Sequence, residues 1–292
     1  MRVFFDEAQA ANKRNSLLLI AFVIILAFLM VYFITWYLRL GTSGILLAAF
    51  FAIAYPLFSY YASDSIVLAS SGAKPADGQQ YRQFHNVVEA ICIAANQPKP
   101  RVYVITDPSP NAFATGRDPQ HASIAATTGL LSMMGRQELE GVVAHELSHI
   151  KNYDIRFMTL TVALIGMISI MADIFLRMFM FGGRGNRDRT PPIFMLVGLA
   201  LIILSPIVAQ VIKFAISRQR EYLADATAAE LTRYPVGLAS ALKKIKEANL
   251  PTKTAAQAAA SLYISDPFVN KLANIFSTHP PIDERIKRLE AM

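Results

Sequence analysis

The sequence predicts a mainly α-helical membrane protein, a bundle of four apolar segments carrying a small α/β domain. Three observations lead there. Hydrophobic residues make up 54% of the 292 and charged residues only 17%, against about 25% charged in ordinary soluble domains. Four runs approach or exceed the roughly 20 apolar residues that carry a helix across a bilayer. The polar sequence between and after them falls into two regions, one with strand-like stretches and one with helical spacing throughout.

Residues 1–61 read as a membrane hairpin. Its first segment runs from Ser16 to Leu38 without a charge, and its second from Ile45 to Tyr61 with Pro56 inside. The first is longer than the 7–15 residue core of a signal peptide, and Gly41 to Gly44 lead straight into more apolar sequence, so it reads as a retained helix. Residues 62–155 read as the α/β region. Gln79 to Asn96 places Phe84, Val87, Val88 and Ile91 on one helical face. Arg101 to Thr106 is β-branched and aromatic, and Asn111–Gly116 and His121–Thr128 form two more short strands joined by a Gly-Arg-Asp-Pro turn. Gln137 to Lys151 is again helical. Residues 156–217 read as a second hairpin, Phe157–Phe181 with Asp173 and Arg177, then Ile193–Ile216 with Pro206 and Lys213. Residues 218–292 read as helices at Gln219–Thr232, Val236–Asn249, Thr254–Tyr263 and Ile282–Met292.

Even numbers of crossings put the N-terminus and both polar regions on one side. Arg2, Lys13 and Arg14 before the first segment, against Arg39 after it, place that side in the cytoplasm. Arg184, Arg187 and Arg189 argue the other way, but the first helix usually dominates. The main alternative lets the second hairpin enter without crossing, since charges at membrane depth face a bundle interior or a watery cavity.

The net charge of +7 suits anionic lipid headgroups. No clustered basic stripe with stacking aromatics points to nucleic acid. Cys92 is the single cysteine, which excludes an intrachain disulfide and reads as core.

The chemistry lies in His145-Glu146-Leu147-Ser148-His149. Two histidines four apart share a helix face and can share one zinc ion, and the glutamate between them can take a proton from a zinc-bound water. Such a site takes three protein ligands. Glu221 stands out as the third, because the second hairpin would return Arg218–Asp225 to the histidines. Asp225, and Asp154 beside the motif, are carboxylates suited to hold the histidines' outer nitrogens. His85 and His121 have no partner at ligand spacing and read as structural.

HELSH, the EYxxD run at Glu221–Asp225, Asn111-Ala112-Phe113-Ala114 and Thr278-His279-Pro280-Pro281 together resemble the HtpX-type membrane zinc metalloproteases, relatives of the CAAX prenyl endoproteases. The resemblance spans nearly the whole chain. It implies a zincin-like (gluzincin) domain in a bacterial or archaeal plasma membrane, with its active site toward the cytoplasm. It also implies one zinc on His145, His149 and Glu221, with Glu146 as catalytic base. By the same resemblance Asn111, Ala112, Phe113 and Ala114 bind substrate backbone at a strand edge, and His279 hydrogen-bonds the oxyanion. The implied substrates are misfolded or damaged membrane proteins and unfolded polypeptides, handled in stress response. The competing reading is a non-catalytic zinc-binding scaffold or transport component. Glu146 argues against it, because a scaffold needs no base between its two histidines.

Overall fold

The computed structural model describes residues 2–37, 40–161, 218–254, 262–265 and 280–292. Two long helices open the chain, α1 (Arg2–Tyr37) and α2 (Gly41–Ser70). Both are long and apolar enough to cross a membrane, over Ala10–Leu29 and Gly41–Ala62. Gly41 makes the reversal between them at φ +57°, a left-handed conformation that glycine adopts without strain. Just after it, a Cβ on Gly44 would lie 2.7 Å from the Thr35 Cβ, so the helices meet closely there. Small residues continue that seam, with Ala27, Ala48 and Ala52 buried, as expected where helices pack in lipid. Leu17, Leu18, Phe22, Ile25, Leu46, Phe50, Ile53 and Phe58 point outward.

Both helices outrun the apolar segments read from the sequence. α1 starts at Arg2 rather than near Ser16, because the Ala-, Glu- and Gln-containing stretch before Asn12 is helix-forming although polar. α2 carries on past Tyr61 to Ser70. Of the third apolar segment only 157–161 is described, within a helical stretch that begins at 154. The rest of that segment, all of 193–216, and residues 255–261 and 266–279 lie outside the described residues.

A four-stranded sheet follows, with β1 (Lys74–Pro75), β2 (Arg101–Ile105), β3 (Ala112–Gly116) and β4 (Ala122–Thr127) in the order β1-β2-β4-β3. β2 and β4 are parallel; β3 runs antiparallel to β4, with Phe113 opposite Ala125. The hairpin closes through Gly116, whose absent Cβ would meet the His121 carbonyl oxygen at 2.3 Å. Asp118 accepts from the His121 N–H at 2.9 Å. β3 is therefore an edge strand.

The helices divide between the two faces of the sheet. On one face lie α3 (Arg82–Ala95) and α5 (Arg136–Lys151), reached through the short α4 (Thr128–Met133). α6 (Arg218–Thr232) and α7 (Pro235–Ala248) pack on α5, and α8 (Ile282–Glu290) packs on α7 and α6. Phe84, Val88 and Ile91 of α3 join Val102, Ala114 and Ile124 of the sheet and Val143 and Leu147 of α5 in one core. Each such side chain contributes about 1.5–3 kcal/mol when fully buried. A Cβ on Gly141 would stand 2.7 Å from the Leu238 backbone nitrogen, so α5 and α7 cross backbone to backbone. On the other face Ile105, Phe113 and Ala125 pack against Val67 and Leu68 of α2 and against Phe157 and Met158. The sheet thus sits between a helical domain and the ends of the membrane helices.

One expected element differs. The helix expected over Thr254–Tyr263 falls mostly outside the described residues; at its end Leu262 is in a 3-10 turn and Tyr263 is no longer helical. Tyr263 instead forms an antiparallel bridge with Phe113.

Candidate metal centre

α5 carries His145, Glu146 and His149 on its most buried turn, each no more than 6% exposed. The helix is strongly set at its start, where Glu138 accepts from the Gly135 N–H at 2.8 Å and so satisfies a donor the helix itself leaves free. One turn separates the two histidines. Their Nε2 atoms converge to 3.2 Å, with the rings at right angles. From α6, Glu221 reaches between them, with Oε2 3.7 Å from His145 Nε2 and Oε1 3.5 Å from His149 Nε2.

Those separations fit zinc. Ligand bonds of about 2.05 Å at tetrahedral angles place ligand atoms about 3.3 Å apart. Each imidazole turns its other nitrogen to a carboxylate: His145 Nδ1 lies 3.0 Å from Asp225 Oδ1, and His149 Nδ1 lies 3.0 Å from Asp154 Oδ2. Donation from Nδ1–H fixes the tautomer and leaves both Nε2 lone pairs facing the shared point. The donor set, two imidazoles and a carboxylate, is one that catalytic zinc sites use.

Electrostatics agree. Glu146, Glu221, Asp154 and Asp225 crowd the pocket. Arg285 pairs with Asp225 through two hydrogen bonds, at 2.9 and 2.7 Å. Arg220 Nε lies 3.8 Å from Asp154. Burial disfavours a charge on His149, yet Asp154, Glu221 and Glu146 outweigh it and raise its pKa to about 9. Burial, with Arg285 beside it, lowers His145 to about 4. The pocket gathers more negative charge than its arginines cancel, and a divalent cation between the imidazoles answers that excess. Asp225 keeps its charge despite burial, because Arg285 holds it at about 2.

Glu146 differs from the other acids. Both its carboxylate oxygens are buried, and among the described residues neither meets a donor in full hydrogen-bond geometry; the Ala114 N–H only approaches them. Burial raises it to about 7; Glu221 adds to the rise, and His149, Arg285 and the Ala114 N–H oppose it. A native protein rarely leaves such a group unmatched unless a bound species completes it.

Asn111, Ala112, Phe113 and Ala114 lie on and beside β3, which packs on α5. His279 lies outside the described residues. His85 sits 3.1 Å from the Ala76 carbonyl oxygen and His121 beside Asp118, both apart from the cluster. Cys92 is buried, and burial pushes its thiol up to about 11.

Two residues of the centre escaped the sequence reading. Arg285 occupies the apolar face of α8 with Ile286 and Leu289; a lone arginine on that stripe was the available signal. Asn12 of α1 is buried and donates to Asp154 Oδ1 at 2.6 Å and to the Asn152 carbonyl at 2.8 Å. Its signal was fainter, a polar pair with Ser16 one turn on, both buried.

Comparison with known proteins bears on this arrangement. The family model described as "Peptidase family M48" matches residues 78–292. A "Protease HtpX homolog" of Caldanaerobacter subterraneus subsp. tengcongensis is 50% identical over 291 residues, covering 98% of this chain and 97% of that protein. One from Dictyoglomus thermophilum is 48% identical over 288 residues, covering 99% and 95%. Among solved structures, the crystal structure of S. mikatae Ste24p matches 97% of this chain and 67% of that one, with a TM-score of 0.51 and 20% identity.

Proposed function

The chain belongs to peptidase family M48, and on that premise we propose that it is a membrane-embedded zinc endopeptidase acting on membrane proteins, misfolded or damaged ones above all. It is a metalloprotease by family, and two of its helices are long and apolar enough to cross a membrane. Zinc on His145, His149 and Glu221, a plasma membrane of bacterial or archaeal type, and a centre facing the cytoplasm complete the reading.

The observation that carries it is Glu146, a buried carboxylate with neither oxygen satisfied, beside three converging ligands. Zinc, when bound, lowers the pKa of a water and polarises a peptide carbonyl. Glu146 takes a proton from the attacking water and passes it to the leaving amine, and a carboxyl near neutrality suits both transfers. Asp225 and Asp154 keep the imidazoles aimed. The edge of β3 at Asn111–Ala114 takes the substrate as an added strand. His279 keeps the role its motif implies, a hydrogen bond to the developing oxyanion. A centre lying against the ends of the chain's own membrane helices suits unfolded segments that emerge at the bilayer, hence quality control under stress.

A non-catalytic scaffold is not favoured, since it has no use for an unmatched buried acid. The test is casein cleavage by detergent-purified protein, after chelation and after zinc is restored, beside Glu146→Gln. Loss, recovery and a zinc-loaded but silent variant are expected. Cleavage by zinc-loaded Glu146→Gln sinks the mechanism.

A further inference from the structure

The base of the membrane hairpin and the end of α5 meet in a chain of alternating cations and tyrosines. Lys13 Nζ stands 4.4 Å from the centre of the Tyr153 ring, and the Arg156 guanidinium stands 4.9 Å from the same centre. Arg156 Nε donates to the Arg117 carbonyl at 2.6 Å, and the Arg117 guanidinium lies 5.0 Å from the centre of the Tyr61 ring. Lys13, Arg14 and Tyr61 are exposed, and Arg117, Tyr153 and Arg156 are half-buried. Arg117 also lies 3.7 Å from Asp118. Lys13, Arg14 and Arg156 have no carboxylate at ion-pair distance among the described residues.

The chain lies at the edge of the two apolar spans. These run over Ala10–Leu29 and Gly41–Ala62, so Lys13 and Arg14 stand at the start of one and Tyr61 at the end of the other. That is the level of the lipid phosphates, where tyrosine and basic side chains anchor helices. Tyr153 occupies the position just past a helix end that glycine usually takes. Its φ is +59°, a conformation costly for a large side chain, so contacts beyond the backbone hold it. Those contacts are two cations on one ring. Like charges so placed repel, and an anion beside them relieves the repulsion.

We propose that Lys13 and Arg156, with Arg14 and Arg117 beside them, hold the phosphate of an anionic lipid headgroup, and that the bound headgroup braces the Tyr153 turn. The turn matters because Asp154 follows it directly. Asp154 accepts from Asn12 at 2.6 Å and lies 3.0 Å from His149 Nδ1. Asn12 and Lys13 are neighbours on α1, so a headgroup that draws Lys13 and Arg156 together steadies both sides of the Asn12–Asp154 contact. The four cations are positioning residues, and through them lipid charge is read at His149. The inference rests on the proposed crossing of α1 and α2 and on the proposed metal centre. It adds a lipid partner and a route from that partner to a ligand.

The experiment uses full-length protein in nanodiscs of phosphatidylcholine alone or with about 30% phosphatidylglycerol. Zinc affinity is read by chelator competition in each disc. Lipid retention is read by native mass spectrometry of detergent-purified protein offered both lipids. The natural chain is expected to retain phosphatidylglycerol about tenfold over phosphatidylcholine, and to bind zinc several-fold more tightly in the anionic disc. Lys13→Gln with Arg156→Gln should lose both preferences. Lys13→Arg with Arg156→Lys should keep both, which separates charge from packing. Arg136→Gln with Lys243→Gln removes the same charge from the far end of α5 and from α7 and should change neither, so attraction of zinc to any anionic surface is subtracted. Equal retention of phosphatidylglycerol by the natural chain and the Lys13, Arg156 glutamine variant overturns the site. An equal response of their zinc affinities to lipid charge overturns the brace. Recovery of the tighter zinc binding in phosphatidylcholine discs by inorganic phosphate overturns the lipid assignment in favour of a free anion. Casein cleavage is measured in the same discs. If no zinc-loaded form cleaves while retention and zinc affinity follow lipid charge, the peptidase reading falls and the lipid site stands.

Discussion

His149 sits in a relay that begins in the membrane hairpin: Asn12 holds Asp154, Asp154 holds the imidazole, and the imidazole presents its other nitrogen to the metal position. A partner one step from a ligand commonly affects metal affinity by about 10–100-fold. Asn12→Ala is therefore expected to weaken zinc binding within that range, measured by chelator competition. Asp154→Asn should weaken it too, and the double variant should fall short of the sum, because both changes cut one relay. The visible spectrum of cobalt-loaded Asn12→Ala should shift; an unchanged spectrum with unchanged affinity would make Asn12 packing alone. Glu146 gives a second prediction, with the opposite sense for stability. In the metal-free protein burial raises it to about 7 from an ordinary 4.5. Between those values the folded chain holds a proton that the unfolded chain has released, so stability falls as pH rises through that window. Glu146→Gln removes the charge at issue. Its melting temperature in chelator should exceed that of the natural chain at about pH 8 and lose the advantage near pH 4. No gain at pH 8 would mean that the carboxylate is solvated in the metal-free state.

At the scale of elements, α5 is fixed at both ends by different means. Its C-terminal turn is clamped by the Asn12–Asp154 contact. Its first turn is held by Glu138, which accepts from Gly135 N–H at 2.8 Å, from Ser240 at 2.6 Å and from Lys244 at 2.7 Å, the last two on α7. Burial opposes the charge, but those three donors outweigh it and lower the Glu138 pKa. An acid lowered in the folded state adds stability that is present above its unfolded value and is lost as pH falls through the folded one. Glu138→Gln should cost about 1–2 kcal/mol at neutral pH and progressively less as the natural carboxylate protonates in acid. Thermal melts across pH would show a constant difference if the loss came from packing instead. The sequence made α5 and the strands legible, because hydrophobic spacing and the HELSH pattern are local. It hid Arg285 and the end of the expected 254–263 helix. Arg285 acquires its role only when α8 folds over α6, and Tyr263 is drawn from helix into a bridge by an unfilled strand edge 150 positions earlier. Tertiary partners of that kind override propensity.

At the scale of the whole molecule, the hairpin is more than an anchor. Asn12 near the start of the first span and Val67 and Leu68 beyond the end of the second both touch the catalytic domain. With α1 and α2 crossing the bilayer as proposed, the two helix ends that meet the domain lie on the side of the N-terminus, and the α1–α2 turn lies on the other. That relation turns the parity argument from sequence into a geometric one: whichever compartment holds the N-terminus holds the metal centre. On the proposed reading, the positive charges Arg2, Lys13 and Arg14 at the start of α1 put that compartment in the cytoplasm. Native Cys92 is buried, which leaves a clean background for single cysteines at exposed positions. Ser43 in the first turn of α2, next to the reversal at Gly41, and Glu89 on α3 are both exposed. With a membrane-impermeant maleimide on intact cells, Ser43→Cys should label directly, while Glu89→Cys should label only after the membrane is opened. The reverse pattern would put the centre outside and overturn the charge argument while leaving the geometry intact. Labelling of both from one side would break the geometry itself, since Asn12 and the turn could then not stand on opposite faces of the bilayer.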